Sequence, residues 1–239
     1  DGFEAETAAG GSLWPGLAEP LSLAKVDHGW GARTLLKDSS STDVVVHRGT
    51  ALTSFYQCGD LYRVDPYTGD TLGKEDWGGA FPFDWGVSAH PKVDDRTEEM
   101  LFFNYSTRSP YMHYGVVNRD NELVHYTDVP LPGPRLPHDM AFTRNYAILN
   151  DFPLFWEPEL LERDLHVARF HRDMPSRFAV LPRHGGGPIR WFEAEPTFVL
   201  HFVNAYEDGD EIVLDGFFQG DPEPPDNGTG TKWQRAFRF

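Results

Sequence analysis

From Thr42 onward the chain alternates short apolar-polar runs with clusters of Gly, Pro, Asn and Asp, the period-2 signature of strands joined by tight turns. Asp43–His47 and Ala51–Tyr56, split by Arg48-Gly49-Thr50, predict a hairpin, and Leu61–Val64 with the turn Asp65-Pro66-Tyr67-Thr68-Gly69 adds a third strand. The same grammar predicts Val87–Val93, Glu99–Tyr105, Tyr111–Val117 and Glu122–Tyr126, with turns over 94–98 and 118–121. A third set is His138–Thr143, Tyr146–Phe152 and Phe178–Leu181, interrupted by an insertion, Trp156–Arg177. That insertion carries the one predicted helix, Pro158–Leu165, with proline near its first turn and acidic residues early. Pro188–Glu193, Thr197–Val203 and Glu211–Phe218 open a fourth set. The last two flank the acidic turn Glu207-Asp208-Gly209-Asp210, read as a solvated hairpin tip. Residues 1–40 read as loop with at most one short strand, and 221–230 as a long loop before strand-like sequence resumes at Trp233.

Sets of three or four antiparallel strands in this rhythm predict an all-β fold built of β-propeller blades, with one small helical insertion. Three histidines share the rhythm. His90 and His138 are 48 residues apart and His138 and His201 63 apart, the longer gap holding the insertion. Propeller blades repeat every ~40–50 residues, so one histidine at the same place in successive blades would converge on the axis. Each also stands at a strand start, flanked by Pro, Asp or apolar residues. The other seven, His28, His47, His113, His125, His166, His171 and His184, sit in polar or turn-rich sequence and read as surface residues. A neutral all-imidazole set suits Fe(II), Zn or Cu. A closed structural zinc site would usually include cysteine, and a three-histidine zinc with an activated water stays open on spacing alone.

Composition narrows the partners. With 21 basic and 37 acidic residues the net charge is −16, which repels nucleic acid and anionic lipid and fits a neutral or apolar small molecule. Aromatic residues make up 14% of the chain, favouring a redox metal beside an apolar tunnel. A single cysteine, Cys58, rules out an intrachain disulfide and points to a reducing, cytoplasmic setting. No apolar run approaches the ~20 residues of a membrane span. No phosphate-cradling glycine loop and no GxSxG elbow is present.

Three motifs in order resemble the carotenoid cleavage oxygenase family, which includes apocarotenoid oxygenases and lignostilbene dioxygenases. They are Ala89-His-Pro-Lys-Val-Asp94 with Leu101-Phe-Phe-Asn-Tyr-Ser106; Pro137-His-Asp-Met-Ala-Phe-Thr143 with Asn150-Asp-Phe-Pro-Leu154; and Ile189-Arg-Trp-Phe-Glu193 with His201-Phe-Val-Asn-Ala-Tyr-Glu207. The resemblance implies a seven-bladed propeller with one nonhaem Fe(II) held by four histidines. His90, His138 and His201 would be the first three; no histidine follows His201. It also implies cleavage of a carbon–carbon double bond in an apocarotenoid- or stilbene-like apolar substrate by O2, giving two carbonyl products. Family members are about twice this length, so residues 1–239 are expected to be a single incomplete propeller domain, about the middle half of the family fold. Gln57 stands where the family carries a glutamate that hydrogen-bonds a ligand imidazole, and Tyr56 where lignostilbene-type members carry a lysine. Phe81, Phe83, Trp85, Phe152, Phe155 and Phe202 are candidate tunnel residues. Two other classes remain: an inactive propeller fragment serving as a binding module, and a three-histidine zinc hydrolase. Peripheral membrane contact for substrate uptake is compatible with the family reading.

Overall fold

The computed structural model describes residues 40–81, 86–161 and 168–220. The chain divides into two compact units, one of residues 1–134 with 162–165, the other of 135–161 with 166–239.

The first unit holds two antiparallel sheets, each with its four strands in chain order. One contains β1 (Asp43–His47), β2 (Thr50–Ser54), β3 (Tyr62–Val64) and β4 (Thr71–Lys74); the other β5 (Lys92–Asp94), β6 (Glu99–Tyr105), β7 (Met112–Val117) and β8 (Leu123–Asp128). Arg48 and Gly49, at φ 53° and 75°, supply the positive dihedrals that match a two-residue turn to strand twist. β4 escapes the sequence reading because it is almost wholly exposed and carries no apolar alternation.

β6 and β7 are buried nearly from end to end, as strands covered on both faces are. Leu52, Leu61, Trp77, Phe81, Val87, Met100, Phe102 and Val117 form the core against which Tyr126 and Val93 pack. Phe102 stacks on Trp77 at 5.0 Å between centroids, and its ring lies over Gly115, its cross-strand partner, leaving no room for a Cβ there.

The second unit contains β9 (Ala141–Phe142), β10 (Tyr146–Asp151), β11 (Leu154–Trp156), α1 (Pro158–Leu161), β12 (Ala168–Phe170), β13 (Ser176–Pro182), β14 (Arg190–Ala194), β15 (Phe202–Asp208) and β16 (Glu211–Gly216). The sheets are β14-β13-β10-β9, β11-β12 and β15-β16, all antiparallel. The insertion is thus a strand pair around one helical turn. The helix expected over Pro158–Leu165 is Pro158–Leu161, and 162–165 lie outside the described residues.

Buried Asp151 of β10 holds two arginines, Arg135 ahead of β9 and its cross-strand partner Arg177 of β13. Its Oδ1 accepts from Arg135 Nε at 2.6 Å and its Oδ2 from Arg177 Nε at 2.9 Å, so the carboxylate and the buried Arg135 guanidinium compensate one another. No helix among the described residues is long and apolar enough to cross a membrane.

One expectation about the histidines is corrected. His47 and His113 are core residues, 3% and 4% exposed: each finds a hydrogen bond, His47 Nε2 with Glu98 O at 3.0 Å and His113 Nδ1 with Asn104 Oδ1 at 2.9 Å. His171 stacks on Phe155 at 4.2 Å; His184 is exposed and His125 half-buried. His28 and His166 lie outside the described residues. The acidic tip is anchored as well as solvated. Glu207 accepts from Thr143 Oγ1 at 2.6 Å, Asn145 N at 2.9 Å and Asn145 Nδ2 at 2.7 Å, and the Thr143 bond leads in holding its carboxyl below the usual glutamate range.

Candidate functional site

The three histidines of interest do not lie within strands. His90 precedes β5, His138 precedes β9 and His201 immediately precedes β15. The predicted strands Val87–Val93, His138–Thr143 and Thr197–Val203 shrink accordingly, with isolated bridges, Gly59 with Val87 and Phe198 with Gln219, ahead of His90 and His201.

In the second unit, His138 and His201 come together, with ring centroids 5.1 Å apart and planes inclined by 59°. Asp139, 2% exposed, sets this pairing. Its Oδ2 accepts from the backbone N of Phe202 at 2.9 Å, its Oδ1 from Met140 N at 2.8 Å, and its carbonyl from Asn150 Nδ2 at 2.8 Å. The residue after one histidine therefore holds the residue after the other.

The approach to His201 is fixed upstream. Thr197 N donates to Ser176 Oγ at 2.9 Å, Ser176 Oγ donates to Thr197 O at 3.1 Å, and Phe198 and Gln219 exchange backbone bonds at 3.0 and 2.9 Å.

In the first unit, His90 sits at φ 62°, a left-handed conformation that costs a non-glycine residue unless its surroundings over-determine it. They do. Asn104 Nδ2 donates to Gly86 O at 2.9 Å, Val87 and Gly59 exchange bonds at 2.8 and 3.2 Å, and Ser88 N donates to Phe103 O at 2.9 Å. Ser88 Oγ adds a bond to Tyr56 O at 3.2 Å. The His90 ring faces a carboxylate: Nδ1 lies 3.3 Å from Asp43 Oδ2.

Gln57 is buried. Its amide nitrogen donates to Tyr56 Oη at 2.7 Å, and its buried Oε1 has no hydrogen-bond partner. Burial raises the Tyr56 phenol, the Gln57 bond partly opposing it, so it stays a protonated donor at neutral pH.

Of the aromatic candidates, Phe81 is a core ring, edge-on to Trp77 at 5.3 Å and to Tyr126 at 5.5 Å. Phe155 packs against the Arg135 guanidinium at 4.1 Å and the His171 ring at 4.2 Å. Phe152 and Phe202 pack together at 6.3 Å, Phe202 half-buried next to His201. Phe83 and Trp85 lie outside the described residues. Asp43 and Asp139 were missed from sequence. Asp139 had a signal, its place beside a ligand candidate; Asp43 had none, since it reads as an ordinary strand start.

Residues 1–235 match the family profile RPE65, retinal pigment epithelial membrane protein. Isoeugenol monooxygenase of Pseudomonas putida is 34% identical over 221 residues, covering 89% of this chain and 44% of that protein. A carotenoid 9,10(9',10')-cleavage dioxygenase of Crocus sativus is 39% identical over 130 residues, covering 53% of this chain and 24% of that protein. The chain thus spans less than half the length of either relative. Among solved structures, the lignostilbene dioxygenase of Pseudomonas brassicacearum superposes with TM-score 0.71 at 24% identity, over 90% of this chain and 44% of that one. Cobalt-substituted Synechocystis ACO gives 0.67 at 24% identity, over 78% of this chain and 41% of that one. The described four-stranded antiparallel sheets are accordingly blades of a partial β-propeller. With all but its last few residues matched by one profile, the chain belongs to the RPE65 family of carotenoid cleavage oxygenases.

Proposed function

We propose that the protein carrying this chain cleaves a carbon–carbon double bond of an apolar alkene with O2 to give two carbonyl products, and that His90, His138 and His201 supply nitrogen ligands to one nonhaem Fe(II). The observation that carries this reading is the His138–His201 pair, held ring to ring through Asp139. Two imidazoles held this closely present a pair of nitrogen donors, and neutral nitrogen donors fit Fe(II), as they also fit Zn and Cu. The choice among metals leans on the relatives, which are named as oxygenases; the neighbour described as cobalt-substituted is named only as a metal-bearing protein of this fold.

Bound iron would supply the activation of O2. The chain's own residues hold and orient the ligand rings: Asp139 fixes the spacing of two, and the pinned Gly86–Ser88 segment fixes the backbone before the third. Phe202, next to His201 in sequence and packed on buried Phe152, offers apolar surface to an alkene. Relatives are named for carotenoid and isoeugenol chemistry, so the proposed substrate class is a conjugated alkene with an apolar body. A cytoplasmic site of action is proposed from the lone cysteine. The zinc hydrolase and the inactive binding module have no support among these relatives.

Metal analysis coupled to O2-electrode assays with an apocarotenal and with isoeugenol tests the proposal. Iron with substrate-dependent O2 uptake is expected. Zinc without uptake, or iron with no uptake on either alkene, overturns it.

A further inference from the structure

We infer that Asp43 is a positioning residue for His90, holding its ring in the tautomer that keeps the proton on Nδ1 and puts the metal-binding lone pair on Nε2. Asp43 opens β1 and is paired with Ser54, so its backbone is fixed by the sheet. Its Oδ1 accepts from Val44 N at 2.8 Å, which turns the other oxygen outward, and Oδ2 lies 3.3 Å from His90 Nδ1. The two side chains are 27% and 16% exposed, so the contact is largely shielded from water. A carboxylate offers only acceptors, so the nitrogen facing it carries the proton. In a neutral imidazole the lone pair is then on Nε2. A carboxylate or carbonyl behind a ligand histidine fixes its tautomer and strengthens it as a ligand, and loss of such a partner typically weakens metal binding 10–100-fold.

The bland alternative is that Asp43 only caps its own strand through Val44. The two roles separate because capping does not involve Oδ2. Sequence-based reading placed an outer partner at Gln57, whose amide nitrogen is engaged by Tyr56; it is Asp43 that touches a candidate ligand.

The inference rests on His90 being a metal ligand, and its test has two readouts. Cobalt(II) titration of the 239-residue chain, followed by its visible absorption, should give a dissociation constant about 10–100-fold weaker in Asp43→Ala, with an unchanged far-ultraviolet spectrum. Asp43→Asn, which keeps an acceptor oxygen without the charge, should fall between. Nitrogen-15 spectra of the metal-free chain should show the His90 proton on Nδ1, and lose that preference in Asp43→Ala. Equal cobalt affinity in wild type and Asp43→Ala, or a proton on Nε2 in the metal-free wild type, overturns the inference. A wild-type chain that binds no cobalt would sink the metal proposal, while the tautomer spectrum would still decide the role of Asp43.

Discussion

Asn104 can occupy its place in only one orientation. Its Nδ2 donates to Gly86 O and to Tyr126 Oη at 2.9 and 2.8 Å; a carbonyl cannot donate back, so the amide oxygen faces His113. His113 Nδ1 must therefore carry a proton toward Asn104 Oδ1. Burial pushes the His113 pKa down, with Asp128, 3.4 Å from Nε2, partly opposing. The folded state thus binds this proton less readily than the unfolded chain. The stability contributed by keeping His113 neutral is present above its unfolded value of about 6.5 and is lost as pH falls from there toward the lowered folded value. Urea midpoints measured from pH 8 to pH 5 should decline through that window, and His113→Gln should flatten the decline; a slope unchanged in the variant would show that other groups cause it. None of this was readable from sequence. His113 lies between Met112 and Tyr114 in a predicted strand, but the pairing with Asn104 and the stacking on Tyr126 at 5.2 Å that make it a core residue are not encoded locally.

At the scale of the element, strands of five residues or more were legible whether one face or both are buried. Asp43–His47 and Glu99–Tyr105 have the bounds that alternation or apolar runs predicted. β4, β11 and β12 were missed because three- and four-residue strands carry too little pattern to detect. The predicted strands carrying the histidines were too long: β5, β9 and β15 each begin after the histidine, and Thr197 N is held by Ser176 Oγ rather than by a strand partner. Within the buried β6–β7 pair, the Gly115–Phe102 contact is the tightest constraint. Gly115→Ala should lower stability by about 1–3 kcal/mol, the range for overpacking a filled core, measured by chemical denaturation. A loss under ~0.5 kcal/mol would mean that Phe102 can move aside.

For the whole molecule, the fold class was legible because it rests on chain order, strand sets following one another in sequence, and the proposed ligand set was read from the same order. The orienting carboxylates were not, because contact between Asp43 and His90 depends on how β1 meets the segment before β5, which no local pattern encodes. The left-handed backbone at His90 bears on how the metal proposal is best probed. Alanine at this position would delete the imidazole and also keep a Cβ in a conformation that disfavours one, whereas glycine adopts it freely. His90→Gly should therefore be the more stable of the two by roughly 1 kcal/mol in thermal or chemical denaturation, the ~1–2 kcal/mol cost of a left-handed Cβ less glycine's ~0.5–1 kcal/mol chain entropy, while both lose cobalt binding alike. A knockout made with alanine would confound a lost ligand with a loosened loop; the glycine variant removes the ring and leaves the chain's path intact.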